Sequence, residues 1–161
     1  MLIKMSTAIA AIALCGSFAQ ASVLGTWSGE LTYSYLDAAE GTCMVENTIT
    51  QSDTALNFHQ ELSGSCNSAL DVNLEVNGTD LLSNGQVVGS MTDDSFTFAD
   101  VAVYDSTYSV TLTVNADGTA NFQDRYNYGG NAEDYDGLSG SLSPKSIESV
   151  FNRNSKSIRM N

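Results

Sequence analysis

Between Ala69 and Ala99 the chain alternates apolar and polar residues almost without a break, and two Asn-Gly pairs punctuate it. Leu70, Val72, Leu74 and Val76 interleave with Asp71, Asn73 and Glu75. A period of two gives a strand one buried face and one wet face. Asn77-Gly78 and Asn84-Gly85 tolerate the positive φ that a type I′ hairpin turn needs. Asp93-Asp94 offers a third turn ahead of Phe96 and Phe98. The pattern predicts a four-strand meander over 69–99 with very short loops.

The rest of the chain repeats the pattern. In Gly25–Tyr35, Trp27, Leu31, Tyr33 and Tyr35 alternate with Thr26, Ser28, Glu30, Thr32 and Ser34. A polar connection is expected over 36–42, then a strand over 43–51 and a turn at Ser52-Asp53-Thr54. The returning strand carries Leu56, Phe58 and Leu62 on one face and Asn57, His59 and Glu61 on the other. Pairing Gln51 with Phe58 sets Asn47 opposite Leu62 and Cys43 opposite Cys66, a spacing that a disulfide can bridge. Residues 100–107 read as a strand extension or a longer loop. Tyr108, Val110, Leu112 and Val114 form a further strand, which Asn115–Gly118 turns back. Ala120, Phe122, Asp124 and Tyr126 then share a face, a loop covers 128–134, and a last strand runs from 135 to about 142. Ser143-Pro144 has the form of a helix start, and Ile147, Val150 and Phe151 follow at helical spacing.

No strand–helix–strand alternation is present, so a parallel sheet is not expected. A long hairpin-ordered sheet curls, and closure removes its edges. The chain therefore reads as all-β: an antiparallel up-and-down barrel of 8–10 strands with a short C-terminal helix. A two-sheet sandwich is the alternative.

The first 21 residues set the compartment. Lys4, an apolar run through Leu14 and the closing Ala19-Gln20-Ala21 make a secretory signal peptide. Leu14 is bulky where lipidation of Cys15 would need a small residue. The expected organisation is a signal peptide over 1–21, a barrel over 22–143, and a helix and tail over 144–161. The expected location is the periplasm or the outside of the cell. The formal charge is −13, and removal of Lys4 with the leader makes it −14. Such a surface excludes nucleic acid and anionic membranes as partners, because both require a basic footprint. An even pair of cysteines in an exported chain, Cys43 and Cys66, is expected to be a disulfide.

Catalytic and metal motifs are sparse. His59, the one histidine, falls on a polar face, and no nucleophile elbow accompanies it. Asn115–Thr119 begins like a calcium loop, but the twelfth position is Tyr126 and a hairpin turn explains the residues. Glu133, Asp134 and Asp136 form an acidic loop without a full ligand set. No metal, no cofactor and no enzymatic activity are expected. Two inward carboxylates beside a deep cleft would instead favour a glycosidase-like enzyme.

The face turned to the interior is richer. Trp27, Tyr33, Phe58, Phe96, Tyr108, Phe122 and Tyr126 share it with the polar Asn47, Gln60 and Asp124. These ten are the candidate binding residues. A barrel of this size either fills its centre, with these polar groups in an internal network, or keeps a pocket with apolar walls and a few polar anchors. An ionised Asp124 inside disfavours a fatty-acid carboxylate and favours a neutral or cationic head.

Gly25-Thr26-Trp27 on the first strand, with a hairpin-ordered barrel and a short C-terminal helix, resembles the lipocalin and wider calycin pattern. The resemblance implies that Trp27 closes one end of the barrel against a basic side chain from late in the chain, with Arg125 the candidate. Avidins also open with G-T-W, but the other tryptophans of their biotin pocket are absent. In size, export, early G-x-W and single disulfide the chain also resembles secreted inhibitors of bacterial metalloproteases. That family inserts an N-terminal arm into the protease, and here, after the expected cleavage, only Ser22, Val23 and Leu24 would precede Gly25. The function expected is an exported binding protein holding a small, largely apolar molecule. The alternative is a protease inhibitor or other protein-binding barrel with a filled core.

Overall fold

The structure, a computed structural model, describes residues 22–145. The signal peptide expected over 1–21 and the helix expected to carry Ile147, Val150 and Phe151 fall on residues outside those described. Ten strands follow one another: β1 (Gly25–Tyr35), β2 (Ala38–Gln51), β3 (Ala55–Ser63), β4 (Ser68–Asn77), β5 (Asp80–Ser83), β6 (Gln86–Met91), β7 (Ser95–Val103), β8 (Ser106–Val114), β9 (Ala120–Asn127) and β10 (Tyr135–Pro144). Each strand pairs antiparallel with its neighbours in the chain, and β1 pairs with β10 to close the ring. This is an up-and-down barrel rather than a sandwich, and closure leaves no open edge.

Tight turns set the strand order. Asn84 and Gly85 both have positive φ, 52° and 74°, between the paired Ser83 and Gln86. The turn expected at Asn77-Gly78 sits one residue later: Asn77 pairs with Asp80, and Gly78 at φ 65° leads the loop. Asp93-Asp94 turns β6 into β7, with Thr92 N–H donating to the Ser95 carbonyl.

Four sequence expectations need correction. The connection expected over 36–42 is a two-residue turn at Leu36-Asp37, φ 49° and 63°, and β2 begins at Ala38. Residues 100–107 hold both a strand end and a tight turn. β7 runs to Val103, and Tyr104-Asp105 reverses the chain into β8. The β2–β3 register is two residues tighter than expected. Gln51 pairs with Leu56, Asn47 with Gln60 and Val45 with Leu62, because Ser52 and Ala55 close a turn with only Asp53 and Thr54 between them. A two-residue shift preserves the face of every side chain, so the inward set is unchanged. Cys66 lies beyond β3, where Gly64 at φ 82° curls the chain, and it still bonds Cys43 at a Cα separation of 5.4 Å. Finally, Ser143 and Pro144 belong to β10, opposite Ser28 and Trp27, and do not start a helix. Proline is tolerated there because the ladder is ending.

The interior is unequal along the barrel axis. At the end where β1 enters and β10 leaves, Trp27, Phe58, Phe96, Phe98, Leu112 and Leu142 are at most 2% exposed. Phe58, Phe96 and Phe98 pack with ring centroids 5.5–6.0 Å apart. Val23, 1% exposed, seals this end: its N–H donates to the Asp93 carbonyl and its own carbonyl accepts from the Trp27 indole at 3.0 Å. The opposite end carries the turns at 36–37, 64–67, 104–105 and 128–134.

Candidate functional site

Asp124 is the centre of the open end. It follows the inward parity of Ala120 and Phe122 along β9 and is 7% exposed. Its Oδ2 accepts from Gln60 Nε2 on β3 at 2.8 Å and from the Tyr108 hydroxyl on β8 at 2.7 Å. Its Oδ1 accepts from the backbone N–H of Leu138 on β10 at 2.7 Å. Gly137 lets β10 come this close, since a Cβ there would meet the Asp124 carbonyl oxygen at 2.5 Å. Burial pushes the Asp124 carboxyl up to about 6, while its three donors pull the other way. Burial, followed by the adjacent Asp124 charge, raises the Tyr108 phenol well above its ordinary value and keeps it a donor.

Above this floor opens a cavity of about 480 Å³. That falls within the range of small-molecule sites, about 300–1,000 Å³. Leu62, Leu70, Leu138 and the Cys66 end of the disulfide supply apolar wall. Tyr33, Tyr126, Tyr128 and Tyr104 stand around the mouth, Tyr104 being 91% exposed at the β7–β8 turn. Asp136 is the second carboxylate in the lining, and it accepts from the hydroxyls of Tyr33, at 3.3 Å, and Tyr128. Burial first, then Asp136, raises both of those phenols. Among the described residues, no lysine, arginine or histidine lines the cavity.

Of the ten interior candidates, Tyr33, Gln60, Tyr108, Asp124 and Tyr126 line the cavity. Trp27, Phe58, Phe96 and Phe122 belong to the packed core. Asn47 is fully buried between Trp27 on β1 and Gln60 on β3, and neither its carbonyl nor its amide nitrogen has a hydrogen-bond partner. Arg125 does not reach Trp27. Its guanidinium lies on the outside over the Tyr135 ring, 3.5 Å from the centroid, and donates to the Asn127 side chain and the Ala132 carbonyl. The lipocalin-like pairing implied for Arg125 is therefore not formed, because Arg125 has the outward parity of β9.

The remaining candidates have local roles. His59 is on the outer face of β3, its Nδ1 2.9 Å from Asp71. Asp117 accepts from the N–H and hydroxyl of Thr119 within the β8–β9 turn, and these bonds lower its pKa. The acids of the last loop diverge: Asp134 accepts from the Tyr35 hydroxyl on the outside, while Asp136 turns to the cavity. Sequence reasoning passed over Tyr128, Leu138 and the inward direction of Asp136. The last two were within reach, since Asp136, Leu138 and Leu142 share one parity in β10. Tyr128 had no periodic signal; a short turn through Gly129 and Gly130, both at positive φ, places it.

No protein-family model matches the chain. No curated protein matches it either. Among solved structures it is similar to a crystal structure of a protein of unknown function from the DUF3598 family of Nostoc punctiforme, with a TM-score of 0.49 and 8% identity. That alignment covers 78% of this chain and 44% of the other, so the chain spans less than half of that protein's length. A likeness of that strength carries neither a family nor an activity.

Proposed function

We propose that this chain is an exported binding protein that holds a small, largely apolar molecule in the open half of its barrel. The observation that carries the reading is the 480 Å³ cavity, walled by leucines and tyrosines and floored by the Asp124–Gln60–Tyr108 group. Apolar walls supply affinity, at about 25 cal/mol per Å² removed from water, and a few polar groups orient the guest. The Cys43–Cys66 bond is compatible with export. The protease-inhibitor alternative loses its arm, since Val23 is locked into the closed end.

Binding of the neutral fluorophore N-phenylnaphthylamine tests the reading. Fluorescence should rise saturably with the native chain and more weakly with Leu70→Trp, whose larger side chain narrows the cavity. An equal rise with both would place the dye elsewhere and reject the pocket.

Asp124 and Asp136 favour a second reading, a glycosidase-like hydrolase, because both carboxylates line one cleft. A general acid with a raised pKa beside a second carboxylate is what that chemistry needs. Binding remains the better account, because both Asp124 oxygens already accept hydrogen bonds from the protein. Release of nitrophenol from a panel of aryl glycosides, abolished by Asp124→Asn, would reverse that order.

A further inference from the structure

We infer that the guest is an organic cation, an amine or quaternary ammonium on an apolar body, seated between the tyrosine rings and the two carboxylates of the cavity. The inference rests on the binding reading above and goes further by fixing the charge of the ligand.

Charge balance points to it first. Asp124 is buried with three neutral donors and no cation, and Asp136 shares the same cavity. A buried carboxylate is costly unless a positive charge faces it. The described residues provide none in the lining. An anionic guest would add a third negative charge with no cation to offset it. A cationic guest supplies the missing countercharge in a site screened from water, where the attraction is strongest.

The tyrosines point the same way. The hydroxyls of Tyr33 and Tyr128 are given to Asp136, and that of Tyr108 is given to Asp124. What these residues have left to offer a guest is ring surface. Tyr126 adds a fourth ring, its centroid 6.2 Å from Tyr108 and 5.2 Å from Tyr128. Aromatic faces backed by carboxylates attract ammonium groups through the ring quadrupole. The hydrogen bonds deepen the effect, because Tyr33, Tyr108 and Tyr128 each donate the hydroxyl proton toward a carboxylate. The strongly acidic surface, −13 overall, would draw a cation toward the mouth.

A matched series of guests tests the inference by calorimetry: octyltrimethylammonium, octanol and octanoate, sharing one apolar tail. The native chain should bind the cation at least about tenfold more tightly than the alcohol, as a cation–π contact and a facing carboxylate together imply. It should not bind octanoate. Asp136→Asn, at the mouth, should remove most of the preference for the cation, read as the ratio of cation to octanol affinity in the same variant. Asp124→Asn should do the same, with circular dichroism confirming its fold. Equal affinity for cation and alcohol would overturn the cation inference while leaving the pocket standing. Failure of all three guests to bind would overturn the pocket itself. A preference that survives Asp136→Asn would show that the carboxylate is not its source.

Discussion

Asp124 is a buried carboxyl whose desolvation carries an electrostatic cost, and its titration makes that cost measurable. The carboxyl ordinarily titrates near 3.8 and is pushed to about 6 in the folded chain. Between those values the folded chain keeps a proton that the unfolded chain has released. The residue's contribution therefore favours folding fully below about pH 4 and is lost as pH rises through 6. The swing is on the order of 3 kcal/mol, at about 1.4 kcal/mol per pKa unit. Asparagine does not titrate, so the stability of Asp124→Asn relative to the native chain should climb by up to that amount between pH 4 and 7.5. Urea unfolding at the two values checks it, and a constant difference would contradict the assignment. Asn47 makes a second prediction. Its carbonyl and amide nitrogen are buried without partners, so Asn47→Leu should raise stability by about 1 kcal/mol or more, read as a higher urea midpoint. At this scale parity was informative: it turned Asn47, Gln60, Tyr108 and Asp124 inward before any contact was known. It could not separate the residues that line a space from those that fill one. Phe58 and Tyr108 share a face and are both buried, yet only Tyr108 also borders the cavity, because that depends on which rings arrive from strands far away in the chain.

β9 and β10 form the element pair that builds the cavity floor. Their ladder pairs Asp136 with Tyr126 and Ser139 with Gln123, and between those pairs the Leu138 N–H goes to the Asp124 side chain. Gly137 makes that approach possible. Gly137→Ala should force the strands apart and cost about 1–3 kcal/mol, with loss of dye binding exceeding what the stability change explains. Unaltered binding at normal stability would show that the close approach is not needed. Cys43 and Cys66 tie β2 to the β3–β4 turn across 23 positions, at the wall of the cavity. Replacing both with serine should cost about 3 kcal/mol in the chain-entropy model. Mass spectrometry of unreduced peptides should find the two joined, and free thiols at both would remove the tie. The hairpins were legible where Asn-Gly or paired aspartates marked them. The Leu36-Asp37 turn was not, because a leucine in the left-handed region carries no turn signal. The β2–β3 register differs by two because the Ser52–Ala55 turn is tighter than the Gln51–Phe58 pairing assumed, and the cysteines are joined through a curled segment rather than as directly opposed partners.

At the scale of the molecule, ten strands close on themselves and leave one end packed and the other hollow. Alternation and short turns implied closure, since hairpin order without helices leaves a long sheet little else to do. The cavity was not legible, because filling depends on how inward side chains from ten strands sum in three dimensions. The packed end supplies stability that a hollow interior forgoes, and Trp27 with Val23 plugs it, so a guest of the proposed kind would enter through the tyrosine-ringed mouth. Trp27 is for that reason a poor reporter of the guest, and mass is the direct one. Native mass spectrometry of the protein purified from its own host should show a complex heavier than the chain by one small molecule, which gentle activation releases. The same preparation of Leu70→Trp, with its cavity narrowed, should carry less of it. A native chain that carries nothing, and acquires nothing when offered apolar amines, alcohols and acids in turn, would contradict the claim that the barrel is a container.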